Sequence, residues 1–192
     1  ALIGAPNAGK STLLNQLVGA KVSIVSHKVQ TTRAIVRGIA IHDNAQIVFM
    51  DTPGIFKPRR RLDRAMVTSA WGGAKDADLI LLLIDSERGL RGDAEAILEG
   101  LKDVHQPKIL VLNKIDRVRP EDLLKLAAKA NENDIQLRAL DRVNLDRDSA
   151  AGVVAAIRAA MALPKGGLPP VPEQVVLPRG IGPTVDLLRV LL

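Results

Sequence analysis

Cysteine is absent from this 192-residue chain, which excludes disulfides and thiolate metal sites and fits a reducing compartment. Long apolar runs are absent too. The longest, Leu79–Ile84, falls far short of the ~20 residues that a membrane-spanning helix needs. No signal-peptide pattern opens the sequence. His27, His42 and His105 are scattered without the spacing of a metal site. The aromatic residues are Phe49, Phe56 and Trp71, and none lies in the last third of the chain. Neither charge dominates: 27 Lys and Arg face 21 Asp and Glu, a net charge of +6. Most of that surplus lies in residues 1–133, with 20 basic against 15 acidic side chains. A surplus of this size permits a nucleic-acid partner without demonstrating one. The chain opens on Ala1 inside an apparent strand, so its natural start is expected upstream. Its length suits one domain with a substantial core.

What the chain does have begins at once. Ala1-Leu2-Ile3 is a short apolar run, followed by Gly4-Ala5-Pro6-Asn7-Ala8-Gly9-Lys10-Ser11. This is G-x-x-x-x-G-K-S, the phosphate-binding loop, set between a strand signal and a helix signal. Its glycines let main-chain N–H groups wrap an anion, and the helix that follows adds its positive end. Lys10 is expected to reach the β- and γ-phosphates, and the Ser11 hydroxyl to hold magnesium.

Further along, Ser11–Ala20 has helical spacing, with Leu13, Leu14, Leu17 and Val18 on one face. Ala34–Ile41 alternates around Ile35, Ile39 and Ile41 and predicts a strand, with Ala45–Met50 as its hairpin partner. Leu62–Ala74 and Asp93–Asp103 predict helices. Leu79–Ile84 and Lys108–Leu112 read as strands covered on both faces. Pro120 opens a helix that runs to about Asn131. Strands alternating with helices give an α/β fold, a mostly parallel sheet with helices on both faces. Such sheets bind ligands at strand C-terminal ends.

Two more motifs fall at such ends. Asp51-Thr52-Pro53-Gly54 follows a strand 40 residues after the phosphate loop. Asp51 is expected to hold magnesium through water, and the Gly54 N–H to sense the γ-phosphate. Asn113-Lys114-Ile115-Asp116 is expected to read the base. A carboxylate accepts from two neighbouring donors, and guanine offers N1–H beside its exocyclic amine; adenine has no such pair. Asp116 therefore selects guanine, with Asn113 contacting base and neighbouring loop and the Lys114 stem covering one base face. Thr32 is the candidate magnesium threonine of the mobile loop, with Thr31 as the alternative. Ile55 stands where many GTPases carry a glutamine that orients the attacking water. Asn7 is then expected to coordinate a monovalent cation against the phosphates, which does part of that work. Lys57, Arg59, Arg60, Arg61 and Arg64 form a basic stretch, read either as a nucleotide-dependent RNA contact or as a solvated loop.

Together, Gly4–Thr12, Gln30-Thr31-Thr32-Arg33, Asp51–Ile55, Asp76–Ile80 and Asn113–Asp116 resemble the bacterial Era family of GTPases, from residue 1 to about residue 131. The resemblance implies a P-loop NTPase fold of the small Ras-like type. It implies a nucleotide site made of Gly4, Ala5, Pro6, Asn7, Ala8, Gly9, Lys10, Ser11, Thr12, Asp51, Thr52, Pro53, Gly54, Ile55, Asn113, Lys114, Ile115 and Asp116. Lys10, Thr32, Gly54 and Asn7 take the catalytic roles, and Ser11, Thr32 and Asp51 the magnesium. GTP and GDP are the implied nucleotides, with potassium as a stimulating ion. The implied partners are ribosomal RNA and the small ribosomal subunit. The implied location is the cytoplasm, with peripheral contact at the inner membrane face, and a monomer is the expected state. Two other readings stand beside this one. The chain could bind GTP and switch partners with little hydrolysis, or belong to a related tRNA-modification or ribosome-assembly GTPase.

The sequence departs from the family after about Asn133. Residues 1–163 are expected to form the G domain. Residues 164–192, with six Pro and four Gly between positions 164 and 183, read as a linker or tail. The family continues into a KH-type RNA-binding domain with a G-x-x-G loop, and residues 164–192 contain none. Where the family carries a Ser-Ala pair against the guanine, this chain reads Asp141-Arg142-Val143-Asn144-Leu145; Ser149-Ala150 is a later substitute. Divergence and a changed reading frame both account for this second half, and the nucleotide sequence distinguishes them.

Overall fold

The computed structural model describes residues 1–25, 32–42, 45–131, 136–139 and 157. Six strands form one sheet in the order β2-β3-β1-β4-β5-β6. They are β1 (Leu2–Gly4), β2 (Val36–His42), β3 (Ala45–Asp51), β4 (Ile80–Asp85), β5 (Lys108–Asn113) and β6 (Gln136–Ala139). Neighbours from β3 to β6 run parallel, and β2 returns antiparallel along β3 from Val36 opposite Asp51 to His42 opposite Ala45. The helices are α1 (Lys10–Val18), α2 (Arg61–Lys75), α3 (Asp93–Leu101) and α4 (Pro120–Asn131).

Strand alternation divides the core into two layers. Leu2, Leu81, Leu83, Ile109 and Val111 face α1, packing with Leu13, Leu14 and Leu17. Ile3, Ile80, Leu82, Ile84, Leu110 and Leu112 face the other way, onto Ala70 and Ala74 of α2 and Ile97, Leu98 and Leu101 of α3. Both faces of β4 are buried along its whole length, as its unbroken apolar run predicts. Burial of each such side chain contributes about 1.5–3 kcal/mol.

Observed element ends fall within two residues of the expected ones. Helix α1 stops at Val18, where the Gly19 N–H turns back to the Asn15 and Gln16 carbonyls. The phase of β2 is the larger difference. Ile39 and Ile41 are 51% and 80% exposed, and Val48 opposite Ile39 is 50% exposed. Ala40 packs into the α1 layer instead, and a side chain at Gly38 would meet Leu14 and Val18 of α1. The bulky residues sit outward because α1 crosses this strand closely enough to need small ones.

Strand β6 adds the sixth strand, paired parallel to β5 from Gln136 opposite Ile109 to Ala139 opposite Leu112. Ile157 is helical and buried in the α1-side layer. The expected tail at 164–192, the Asp141–Leu145 stretch and Ser149-Ala150 lie outside the described residues, as do Gln30 and Thr31. Among the described residues no helix is long and apolar enough to cross a membrane.

Candidate nucleotide site at the strand ends

The parallel sheet brings the three motifs to one edge. Strands β1, β3 and β5 end at Gly4, Asp51 and Asn113, each the first residue of a motif. Residues 5–9 join β1 to α1, so the loop leads directly into the positive end of α1. Asn7 takes a left-handed backbone at φ 63°, which asparagine tolerates better than most residues, and its side chain is exposed on the rim. Gly9 has φ 102°, and a Cβ there would stand 2.1 Å from the Asn113 amide nitrogen. Both its angle and its neighbour require glycine.

Lys10 is buried. Its ammonium donates to the carbonyls of Gly4 and Ala5, each at 3.0 Å. Burial lowers its pKa from 10.5 to about 8, and the nearby Asp51 charge opposes that shift. The two carbonyls hold the ammonium against the loop, next to the positive end of α1.

Asp51 is fully buried beside it. Its Oδ2 accepts from Ser11 Oγ at 2.6 Å, from Ser23 Oγ at 2.8 Å and from Thr32 Oγ1 at 3.1 Å. Ser11 and Thr32 hydroxyls also lie 3.2 Å apart. The structure therefore brings together the three residues read as magnesium ligands. Among the described residues, Asp51 Oδ1 is buried without a partner. An oxygen-only set with one orphaned carboxylate oxygen fits a hard, water-carrying cation such as magnesium. Among the described residues no cluster of three or more His, Cys, Asp or Glu offers a softer alternative.

The Asp51–Ile55 segment divides its tasks. Thr52 is fully buried, and its hydroxyl donates to the Leu2 carbonyl at 2.7 Å, so it ties β3 to β1. Gly54 lies against the phosphate loop, where a Cβ would stand 2.8 Å from the Pro6 nitrogen. Ile55 donates its N–H to the Gly4 carbonyl at 3.1 Å, and its side chain is buried in the α2–α3 layer. Ile55 thus bonds the loop through its backbone N–H. Its side chain is a core residue.

In the Asn113–Asp116 stretch, Asn113 donates through Nδ2 to the Ala8 carbonyl at 2.9 Å. Lys114 takes φ 62°, and its ammonium meets Asp85 Oδ2 at 2.5 Å, with both side chains largely buried. Ile115 and Asp116 lie in a single 3₁₀ turn over Ile115–Arg117. Asp116 is exposed, so its carboxylate is open to a ligand.

Sequence reasoning missed Ser23 and Asp85. Ser23 sits in a polar loop without a motif. Asp85 ends an apolar strand, as many structural aspartates do, and only the β4–β5 pairing places it beside Lys114. The basic stretch is exposed, and Asp63 accepts from the N–H groups of Arg59 and Arg60 at 3.1 and 2.9 Å, opening α2. Those two bonds hold the Asp63 carboxyl below its usual pKa.

The family model described as "50S ribosome-binding GTPase" matches residues 1–114. GTPase Era of Sinorhizobium medicae is 89% identical over 132 residues, which are 69% of this chain and 43% of that protein. GTPase Era of Bradyrhizobium diazoefficiens is 64% identical over 132 residues, with the same two shares. The chain thus spans less than half the length of these relatives. A crystal structure of Era with MgGDPNP and nucleotides 1506–1542 of 16S ribosomal RNA superposes with a TM-score of 0.73 at 35% identity. That match covers 90% of this chain and 58% of the Era chain. A point variant of Aquifex aeolicus Era bound to GDP and AlF4⁻ gives a TM-score of 0.76 at 36% identity, covering 86% of this chain and 56% of that one. The chain belongs to the 50S ribosome-binding GTPase family, and over its first two thirds it resembles the G domains of Era proteins.

Proposed function

We propose that this chain binds guanine nucleotides with magnesium, hydrolyses GTP to GDP, and is the G domain of an Era-type protein serving small-subunit assembly. One observation carries the reading: a buried ammonium, a buried carboxylate with a spare oxygen and an exposed carboxylate follow the ends of parallel strands in one sheet. Lys10 would neutralise charge on the β- and γ-phosphates, and Gly54 N–H would meet the γ-phosphate. Magnesium, held through Ser11, Thr32 and Asp51, would supply charge stabilisation at the phosphates. Asp116 would accept from guanine N1–H and N2, with the Lys114 stem along the base.

Ile55 brings no polar side chain to the attacking water. Asn7, exposed on the rim of the phosphate loop, is the residue we assign to a potassium ion that would complete the transition-state charge. Single-turnover GTP hydrolysis in potassium against sodium, with wild type and Asn7→Ala, tests this. Faster turnover in potassium, lost in Asn7→Ala, supports the assignment. Equal rates in both salts, with a silent substitution, would remove it.

Ribosomal RNA is the proposed partner, by analogy with the Era–16S complex. Arg59, Arg60 and Arg61 are the contact residues proposed here, and a peripheral site at the inner membrane face belongs to the same cytoplasmic reading. Affinity for a 16S 3′-end RNA should fall steeply with salt, and Arg59→Glu with Arg61→Glu should flatten that slope by about two charges. We take residues 1–163 as the domain that does this and 164–192 as a linker or tail.

A further inference from the structure

Among the described residues, Ser23 is the hydroxyl at Asp51 that the motifs leave without a task. It is 3% exposed and donates to Asp51 Oδ2 at 2.8 Å. Its position is fixed from α1. Asn15 lies one helical turn after Ser11. Its Oδ1 accepts from the N–H groups of Val22 at 2.9 Å and Ser23 at 2.8 Å, and its Nδ2 donates to the Ser23 carbonyl at 2.9 Å. Three bonds from one side chain is near the capacity of an amide, so the Ser23 backbone is clamped. The helix that presents Ser11 to Asp51 therefore sets Ser23 against the same oxygen.

We propose that Ser23 is a positioning residue of the magnesium site, holding Asp51 Oδ2 so that the unpartnered Oδ1 stays available to the hydrated cation, with Asn15 as the clamp that places it. The inference rests on the nucleotide-binding reading above. Ser11 and Thr32 hydroxyls are also the proposed ligands of the cation, so their bonds to Asp51 compete with that role. Ser23 has no second role and remains as the fixed donor. A carboxylate without such a donor can rotate about its Cβ–Cγ bond and loses its aim. Outer partners of this kind change metal affinity by about 10–100-fold.

The test compares two side chains of equal size on the full chain, Ser23→Thr and Ser23→Val. Release of a fluorescent GDP analogue is followed while magnesium is titrated, and its affinity is measured again in excess chelator. Ser23→Thr should keep the wild-type magnesium midpoint within about twofold. Ser23→Val should raise it by about tenfold or more, with affinity in chelator unchanged. Asn15→Ala should shift the midpoint in the same direction. If Ser23→Val does not fold, Ser23→Ala supplies the same comparison. An unshifted midpoint overturns the proposal. So does an equal loss of affinity with and without magnesium, because that is the mark of a merely structural serine. Wild type whose analogue release ignores magnesium would overturn the nucleotide-site reading as well, which separates the two failures.

Discussion

The side-chain amide of Asn113 bonds the main-chain carbonyl of Ala8 at 2.9 Å, across 105 positions of sequence. The Asn113–Asp116 loop and the phosphate loop are thereby one braced unit. Gly9 sits at the joint, with no room for a Cβ beside the same amide. Asn113→Ala should lower stability by about 1–3 kcal/mol, because it removes a buried bond and strands a carbonyl. Gly9→Ala should cost more, through backbone strain and the clash together. In the double variant the clash disappears, so the two losses should not add; a coupling of about 0.5–3 kcal/mol in denaturant unfolding is expected. Strict additivity would mean that the joint is not there.

Under the proposed function, Lys10 should make nucleotide affinity depend on pH. Its free-state pKa of about 8 is depressed mainly by burial. A polyphosphate raises it again, so binding takes up a proton above pH 8. Affinity for GDP should therefore be level below about pH 8 and fall as pH climbs toward 10. Calorimetry at pH 9 in two buffers of different ionisation heat should register the proton, and Lys10→Met should abolish it. The same depression has an opposite effect on folding. Between about pH 8 and 10.5 the unfolded chain holds more protons, so this group makes stability rise with pH.

Ile55→Gln should not convert the site to glutamine-assisted hydrolysis. The side chain lies in the core with Ile3, Leu82 and Ile84. Burying an amide there should cost about 1–3 kcal/mol of stability. Thermal unfolding and single-turnover hydrolysis together check this: a lower midpoint and no rate gain are expected.

Asp85→Asn should weaken GDP binding, because it frees the Lys114 ammonium from the partner that holds its stem in place. A several-fold faster release of GDP is expected, with the preference for guanine retained, since Asp116 is untouched. Loss of that preference would reassign the base-reading role.

The motifs were legible because they are local. Glycine at 9, lysine at 10 and the strand runs around 81 and 110 each carry their reason within a few residues. Fold class followed from alternation, and the buried β4 followed from its apolar run. What stayed hidden depends on long-range placement. Asp85 reaches Lys114 only because β4 and β5 pair in register. Ser23 reaches Asp51 only through the Asn15 clamp. The outward turn of Ile39 and Ile41 follows from how close α1 crosses Gly38, which no alternation pattern encodes.

Equilibrium binding of GDP against ADP, with magnesium, tests the central claim most directly. Two charge-assisted bonds from Asp116 to guanine should favour GDP by on the order of 10²–10⁴-fold, and Asp116→Ala should erase most of that margin. Equal affinity for the two nucleotides in wild type, or no binding of either, would contradict it.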